Sequence, residues 1–268
     1  MTTERVSTAD RVIAAMRAEH TALVARVSSF DDDDLARRSA ATEWDISQVL
    51  SHLGSGAELA TAVLRAAVDG TSPPSPDAAP AVWARWDAMS RRQRADSFVP
   101  ADEALTALYE SLDDAARADL RIDLGFLPAP VEVATLGAMR LNELALHAWD
   151  VRAAFDDDAT LDPATAAALL HNGPDIFAWI GKSDALGDRR AVVKVTTVDP
   201  ASEFVLRLDA PIGVDLTPPG HVDGTLELAA ESWLRLVAGR LAPRYTPEGV
   251  VATGAADLDL LRRVFPGY

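Results

Sequence analysis

Apolar residues recur every three or four positions through most of the first 155 residues, which is the spacing of amphipathic helices. The first stripe begins at a cap on Ser7 or Thr8 and ends near residue 28. It includes His20, where a histidine is typically a core residue with a satisfied hydrogen bond. Longer helices are predicted at residues 45–68, 82–93, 101–119 and 131–155, with loops at residues 70–80 and 124–130. This pattern predicts an up-and-down helical bundle whose core holds a metal.

A short acidic run, Asp31 to Asp34, follows the first stripe. Negative charge suits a helix N-terminus, so the run predicts the start of a short helix. A solvated acidic loop is the alternative.

The pattern changes after a second acidic run, Asp156 to Asp158, which precedes Pro163. A helix is predicted at residues 164–180. Short runs with β-branched residues then predict strands at residues 191–198, 203–208, 213–216 and 224–229, and helices at residues 231–239 and 257–264. The fold class is therefore α plus α+β. It combines a helical domain over residues 1–157 with a smaller α/β sandwich-like domain over residues 163–268.

Two of the predicted helices carry metal-ligating residues among apolar ones. Glu143 and His147 are four apart, so both lie on one face of a helix, and His52 lies in a separate helix. A catalytic zinc site needs three protein ligands and one open position. A buried charge also needs a partner, which favours a cluster of these three. The alternative is that His147 is a packed core histidine and Glu143 a solvated helix charge.

Two further residues share the predicted helix with this cluster. Arg140 lies three before Glu143. It either clamps a carboxylate of a bound substrate or thiol, or pairs with Glu143 behind the metal, and the second role is favoured slightly. Asp150 lies three after His147 and is placed to accept the second ring N–H of that histidine, a common arrangement for metal-bound imidazole. A helix-surface charge is the alternative for Asp150.

Arg85 is the third candidate outside the cluster, and it lies between Trp83 and Trp86. This region is expected to overhang the cluster, where a cation suits an acidic substrate. The alternative is an exposed arginine packed on tryptophan.

Composition narrows the function classes. The 268 residues are 49% hydrophobic, so a sizeable core can form, and the formal charge of −16 disfavours binding to nucleic acid or anionic membranes. There is no apolar run long enough to span a membrane and no apolar secretory segment, so a cytoplasmic protein is expected. The chain has no cysteine, so any thiol chemistry must use a thiol brought by a ligand.

The chain resembles the mycothiol-dependent maleylpyruvate isomerase family, within the broader DinB-like metal-binding four-helix bundles. The resemblance rests on WDISQVLSHL at residues 44–53 and RLNELALHAWDV at residues 140–151. The runs DGTLEL at residues 223–228 and LVAGRL at residues 236–241 resemble that family's second domain, which is similar to the sterol-carrier fold.

The resemblance implies that His52, Glu143 and His147 are zinc ligands. It also implies that the metal binds and ionises the thiol of a small cofactor such as mycothiol, which then attacks an electrophilic carbon. Zinc-bound thiols are deprotonated outright, so this scheme is chemically sound. The expected partners are therefore a thiol and a small, acidic, electrophilic substrate.

Several alternatives stay open at this point. The reaction is either isomerisation by reversible thiol addition or transfer of the thiol to an electrophile. Two histidines and a carboxylate also match the facial triad of non-haem iron oxygenases, although those usually lie on β-barrels. A protein that binds a small apolar ligand without turnover is a further possibility. The sequence identifies neither the substrate, nor the thiol, nor the oligomeric state.

Overall fold

Helices form the first part of the chain and a mixed sheet the second, as a computed structural model shows for residues 7–75, 77–170, 177–217 and 220–267. The chain divides into two units at residues 155 and 156. The predicted fold class, a helical N-terminal region followed by an α+β region, is confirmed.

The first unit contains seven helices among its described residues, of which four are long. The long ones are α1 (Thr8–Val27), α3 (Ile46–Asp69), α5 (Arg91–Glu110) and α7 (Val133–Ala153). The short ones are α2 (Asp32–Ala36), α4 (Ala78–Asp87) and α6 (Asp114–Asp119). Two-residue strands β1 (Arg121–Ile122) and β2 (Val131–Glu132) pair antiparallel just before α7.

Side-chain contacts between the long helices establish the direction of each. Helix α7 is antiparallel to α3, because His52 meets Glu143 while Gly56 faces Arg140. Helix α5 runs parallel to α3, since the first residues of α5 contact the start of α3 and residues near Pro100 face its second half. Helix α1 is antiparallel to α5, because Arg17 pairs with Glu110 while His20 meets Asp102. The four-helix bundle is therefore up-down-down-up along the chain, which corrects the predicted simple alternation. The connection through α4 gives the chain the length to return before α5.

Capping boxes begin three helices, at Ser7, where a cap was predicted, and at Asp31 and Asp45, where helix starts were predicted. Each side chain accepts the N–H of the third helical residue, and that residue's side chain accepts the cap's own N–H. Such caps satisfy backbone donors that the first turn leaves unpaired. The cap at Asp45 fixes where α3 begins, and so places His52 on its second turn.

The boundaries predicted between residues 82 and 119 were wrong. Helix α4 ends at Asp87, and α5 runs without a break from Arg91 to Glu110 with Pro100 inside it. Ser90 and Gln93 form a capping box at the true start of α5. The gap predicted between residues 93 and 101 is absent. Pro100 removes one backbone hydrogen bond from α5, and burial of the helix face outweighs that loss.

The second unit is built on a five-stranded mixed sheet. Its strands are β3 (Ala191–Val198), β4 (Ser202–Leu208), β5 (Gly213–Asp215), β6 (Gly224–Ala229) and β7 (Val251–Gly254), in the order β5-β4-β3-β6-β7. Strands β3 and β6 pair parallel and the other neighbours pair antiparallel. Four strands match their predicted positions. Strand β7, a short edge strand, was not predicted.

The helices of the second unit are short. They are α8 (Pro163–Leu169), α9 (Phe177–Ile180), α10 (Ala230–Val237) and α11 (Leu258–Val264). The predicted helix at residues 164–180 ends at Leu169, and residues 171–176 lie outside the described part of the chain. Trp233 on α10 is buried against Phe204 of β4 and Phe177 of α9, so this core is aromatic. None of the helices described is long and apolar enough to cross a membrane.

Candidate metal centre

The candidate site lies between α3 and α7, and each helix places its donors by its own geometry. Glu143 and His147 are one turn apart on α7, and His52 faces them from the antiparallel α3. The structure thus brings together the three residues that the sequence singled out. Among the described residues, they form the one cluster of three or more metal-ligating side chains.

The distances in this cluster suit a common metal ion. His52 Nε2 lies 3.0 Å from Glu143 Oε2, and His147 Nε2 lies 3.8 Å from the same oxygen. All three donor atoms lie within 4.8 Å of one another. Ligand atoms on one tetrahedral zinc, at bonds of about 2.0–2.1 Å, are about 3.3 Å apart. The donor set therefore fits a zinc ion with small side-chain adjustments.

The cluster is open on one side. The side chains of His52 and Glu143 are 41% and 39% exposed, whereas His147 is only 12% exposed. A metal held here has two half-exposed ligands and one mostly covered ligand, so a molecule from solvent can reach it.

Asp150 fixes the orientation of His147. Its Oδ2 lies 2.9 Å from His147 Nδ1, and its side chain is fully buried. A carboxylate accepts hydrogen bonds, so Nδ1 carries the proton and the lone pair of Nε2 faces the cluster. The contact expected between these two residues is present.

The charge state of Glu143 also suits a ligand. Burial by itself raises the pKa of this carboxyl group, but the hydrogen bond with His52 and the nearby His147 and Arg140 lower the pKa below its ordinary value. The side chain is therefore an anion at neutral pH, the charge state in which a carboxylate ligates a cation.

Trp44 forms an aromatic wall of the site. Its ring centroid lies 5.1 Å from that of His52 and 5.7 Å from that of His147, and the two imidazoles lie edge to face at 4.8 Å. From the sequence, Trp44 stood out only as part of the motif at residues 44–53. It directly precedes Asp45, the cap of α3, and this position was the signal that could have placed it near His52.

Arg140 does not pair with Glu143, which was the role favoured from the sequence. Its Nη2 donates to Asp102 Oδ1 at 2.6 Å and to the carbonyl oxygen of Leu53 at 3.0 Å, and the residue is buried. It therefore neither pairs with Glu143 nor faces a substrate in the open side of the site. The buried carboxylate of Asp102 attracts it because an unpaired charge in the core is costly.

Arg85 does not overhang the cluster. It pairs with Glu58, which also accepts the indole N–H of Trp86. Glu58 is six residues after His52, so it points about 120° away around α3. Arg85 instead lines an open groove of about 530 Å³ between α3, α4 and α5. In this structure Arg85 therefore lies away from the cluster, and its role toward a substrate stays a prediction.

Two comparisons with known proteins agree with the fold. Residues 16–152, just over half of the chain, match the profile of the mycothiol maleylpyruvate isomerase N-terminal domain. The crystal structure of the mycothiol-dependent maleylpyruvate isomerase superposes with a TM-score of 0.63 at 16% identity, covering 93% of this chain and 94% of that one. A mutant of that enzyme, with one histidine replaced by alanine, gives the same values. No curated protein matches the chain.

Proposed function

The chain belongs to the family of the mycothiol maleylpyruvate isomerase N-terminal domain, and on this basis we propose that it is a zinc enzyme that uses a low-molecular-weight thiol of the mycothiol type. Its substrate is a small electrophile, and the reaction is isomerisation or thiol transfer. The observation that carries the proposal is the convergence of His52, Glu143 and His147 on one open-sided cluster.

Each side chain has a role derived from its contacts. His52, Glu143 and His147 hold the zinc, and Asp150 keeps the Nε2 lone pair of His147 directed at it. When bound, zinc supplies an open coordination position at which a thiol loses its proton. Trp44 shields the imidazoles from bulk water on one side.

The absence of cysteine from the chain supports an external thiol. A thiolate held beside an electrophilic carbon gains reactivity from proximity as well as from ionisation. The acidic nature of the substrate is inferred from the family resemblance alone, because neither Arg85 nor Arg140 faces the cluster.

The test is turnover of a conjugated keto acid such as maleylpyruvate, and of an epoxide, by zinc-loaded protein with and without mycothiol. We expect product only when both zinc and the thiol are present, and loss of product in His52→Ala. His221→Ala is the matched control, since His221 is an exposed histidine that also pairs with a carboxylate, Asp223. Turnover that needs zinc but no thiol contradicts the proposal and points to a metal-bound water.

A further inference from the structure

A network of buried, hydrogen-bonded polar groups joins the long helices beside the candidate metal centre. Asp102 on α5 is fully buried; its Oδ2 lies 2.7 Å from His20 Nδ1 on α1, and its Oδ1 accepts from Arg140 Nη2 on α7 at 2.6 Å. Burial raises the pKa of Asp102, but its contacts with His20 and Arg140 outweigh this and lower the pKa below its ordinary value. The carboxylate is therefore ionised, with both oxygens engaged.

The network also reaches α3, the fourth long helix. Arg140 Nη2 also donates to the carbonyl oxygen of Leu53 on α3 at 3.0 Å. A Cβ atom on Gly56 would lie 3.4 Å from Arg140 Nη1, so the guanidinium packs directly against α3 at this position. One arginine thus binds a carboxylate of α5 and a backbone carbonyl of α3 from its place on α7.

These bonds lie next to the proposed metal ligands in sequence and in space. Leu53 follows His52 directly on α3, and Arg140 is one turn before Glu143 on α7. The cluster depends on the register of α3 against α7, because each helix supplies part of it. A slip of one residue moves a helix by about 1.5 Å, whereas a metal site tolerates only about 0.5 Å.

We propose that Asp102 and Arg140 are positioning residues that hold α3 and α7 in the register at which the three donors meet. The inference rests on the proposed function, since it concerns the same site. Asp102 orients the guanidinium, and the guanidinium holds the carbonyl group beside His52. Neither residue touches the metal or the reacting atoms.

A comparable ion pair elsewhere in the bundle provides a control. Arg152 on α7 donates to the buried Glu19 on α1 at 3.2 Å. This ion pair joins α7 to α1 and involves no residue of α3. Its loss should lower the stability of the bundle without changing the register of α3 against α7.

The test is a Co²⁺ titration of the full chain, followed by the visible absorption band, whose shape reports coordination geometry. Arg140→Met and Asp102→Asn should lower the Co²⁺ affinity about ten-fold or more and alter the band, while Arg152→Met keeps the wild-type affinity and band. Circular dichroism of each metal-free variant identifies the folded ones. Asp102→Asn, which keeps the side-chain shape, serves if Arg140→Met does not fold.

Two results overturn the inference in different ways. If the wild-type protein binds Co²⁺ and folded Asp102→Asn binds it with the same affinity and the same band, the network has no positioning role. If the wild-type protein binds neither Co²⁺ nor Zn²⁺, the proposed function fails, and this inference fails with it.

Discussion

At the scale of single residues, the contact between His147 and Asp150 decides which ring nitrogen faces the cluster. Asp150 is fully buried and lies 2.9 Å from Nδ1, so the imidazole cannot present that nitrogen to a metal. The sequence suggested this contact because i, i+3 residues meet on a helix. It is the part of the site that helical spacing predicts best.

We therefore expect Asp150→Asn to weaken zinc binding by about 10–100-fold, since the substitution removes the charge that orients and polarises His147. Competition with a chromophoric chelator measures this affinity. Asp209→Asn, which alters an exposed carboxylate paired with Arg190, should leave it unchanged. Equal zinc affinities for wild type and Asp150→Asn would refute the role given to this carboxylate.

Asp102 shows what helical spacing cannot predict. Its partners His20 and Arg140 are 82 and 38 residues away in sequence, so only the tertiary fold brings them together. On the sequence it is one of many acidic residues in a chain of net charge −16. The same reason explains why Arg140 was assigned to the neighbouring Glu143 rather than to Asp102.

The lowered pKa of Asp102 predicts a pH-dependent contribution to stability. The folded pKa is below the unfolded value of 3.8, so the stabilisation is complete only well above that pH and is lost as the pH falls through the folded pKa. Wild type should exceed Asp102→Asn in unfolding free energy by about 3 kcal/mol at pH 7. Urea unfolding of the metal-free proteins at pH 7, 5 and 3 checks this. A difference that grows towards pH 3 would have the wrong sign.

At the scale of elements, the helix starts were predictable where a capping box stands in the sequence. The starts at Ser7 and Asp45 were predicted and both carry capping boxes, whereas the equivalent box of Ser90 and Gln93 was overlooked, and Gln93 was placed at the end of a helix. Tertiary packing outweighs the local preference of one proline when the rest of the helix face is buried. Strand β7 escaped detection because its four residues are too few to show alternation.

Helix α4 packs on α3 where the indole of Trp86 lies against Gly54. A Cβ atom on Gly54 would overlap the indole of Trp86, which is buried and has no room to move away. Gly54→Ala should lower the free energy of unfolding by about 1–3 kcal/mol, despite the better helix propensity of alanine. Urea unfolding measures the change, and Gly249→Ala, where the added methyl meets open space, is the control. A Gly54→Ala variant as stable as wild type would contradict this packing.

At the scale of the whole molecule, the change from helical to strand-like patterning marks where the chain divides. We propose that the two units are separate domains and that the acidic segment at residues 156–158 is the exposed connection between them. Ala159 and Leu161 are already buried, and the backbone N–H of Leu161 donates to Glu231 of the second unit. The exposed part of the predicted linker is thus shorter than the sequence suggested.

Brief digestion with a broad-specificity protease should produce a fragment that ends between residues 155 and 159, because exposed connections are the preferred sites of nicking. Mass spectrometry of the early fragments identifies the cut. Exposed residues 71–75 before α4 should be a second early site. Early cuts within α3 or α7, with residues 155–159 intact, would argue against an exposed connection.

Whether His52, Glu143 and His147 hold a zinc ion is decided by the zinc content of the protein purified without added metal, measured by elemental mass spectrometry. We expect about one zinc per chain for the wild type and for His221→Ala, and loss of most of the metal in His147→Ala, because one of the three ligands is removed. A His147→Ala protein that keeps full zinc occupancy, or a wild-type protein that carries iron in place of zinc, would contradict this assignment.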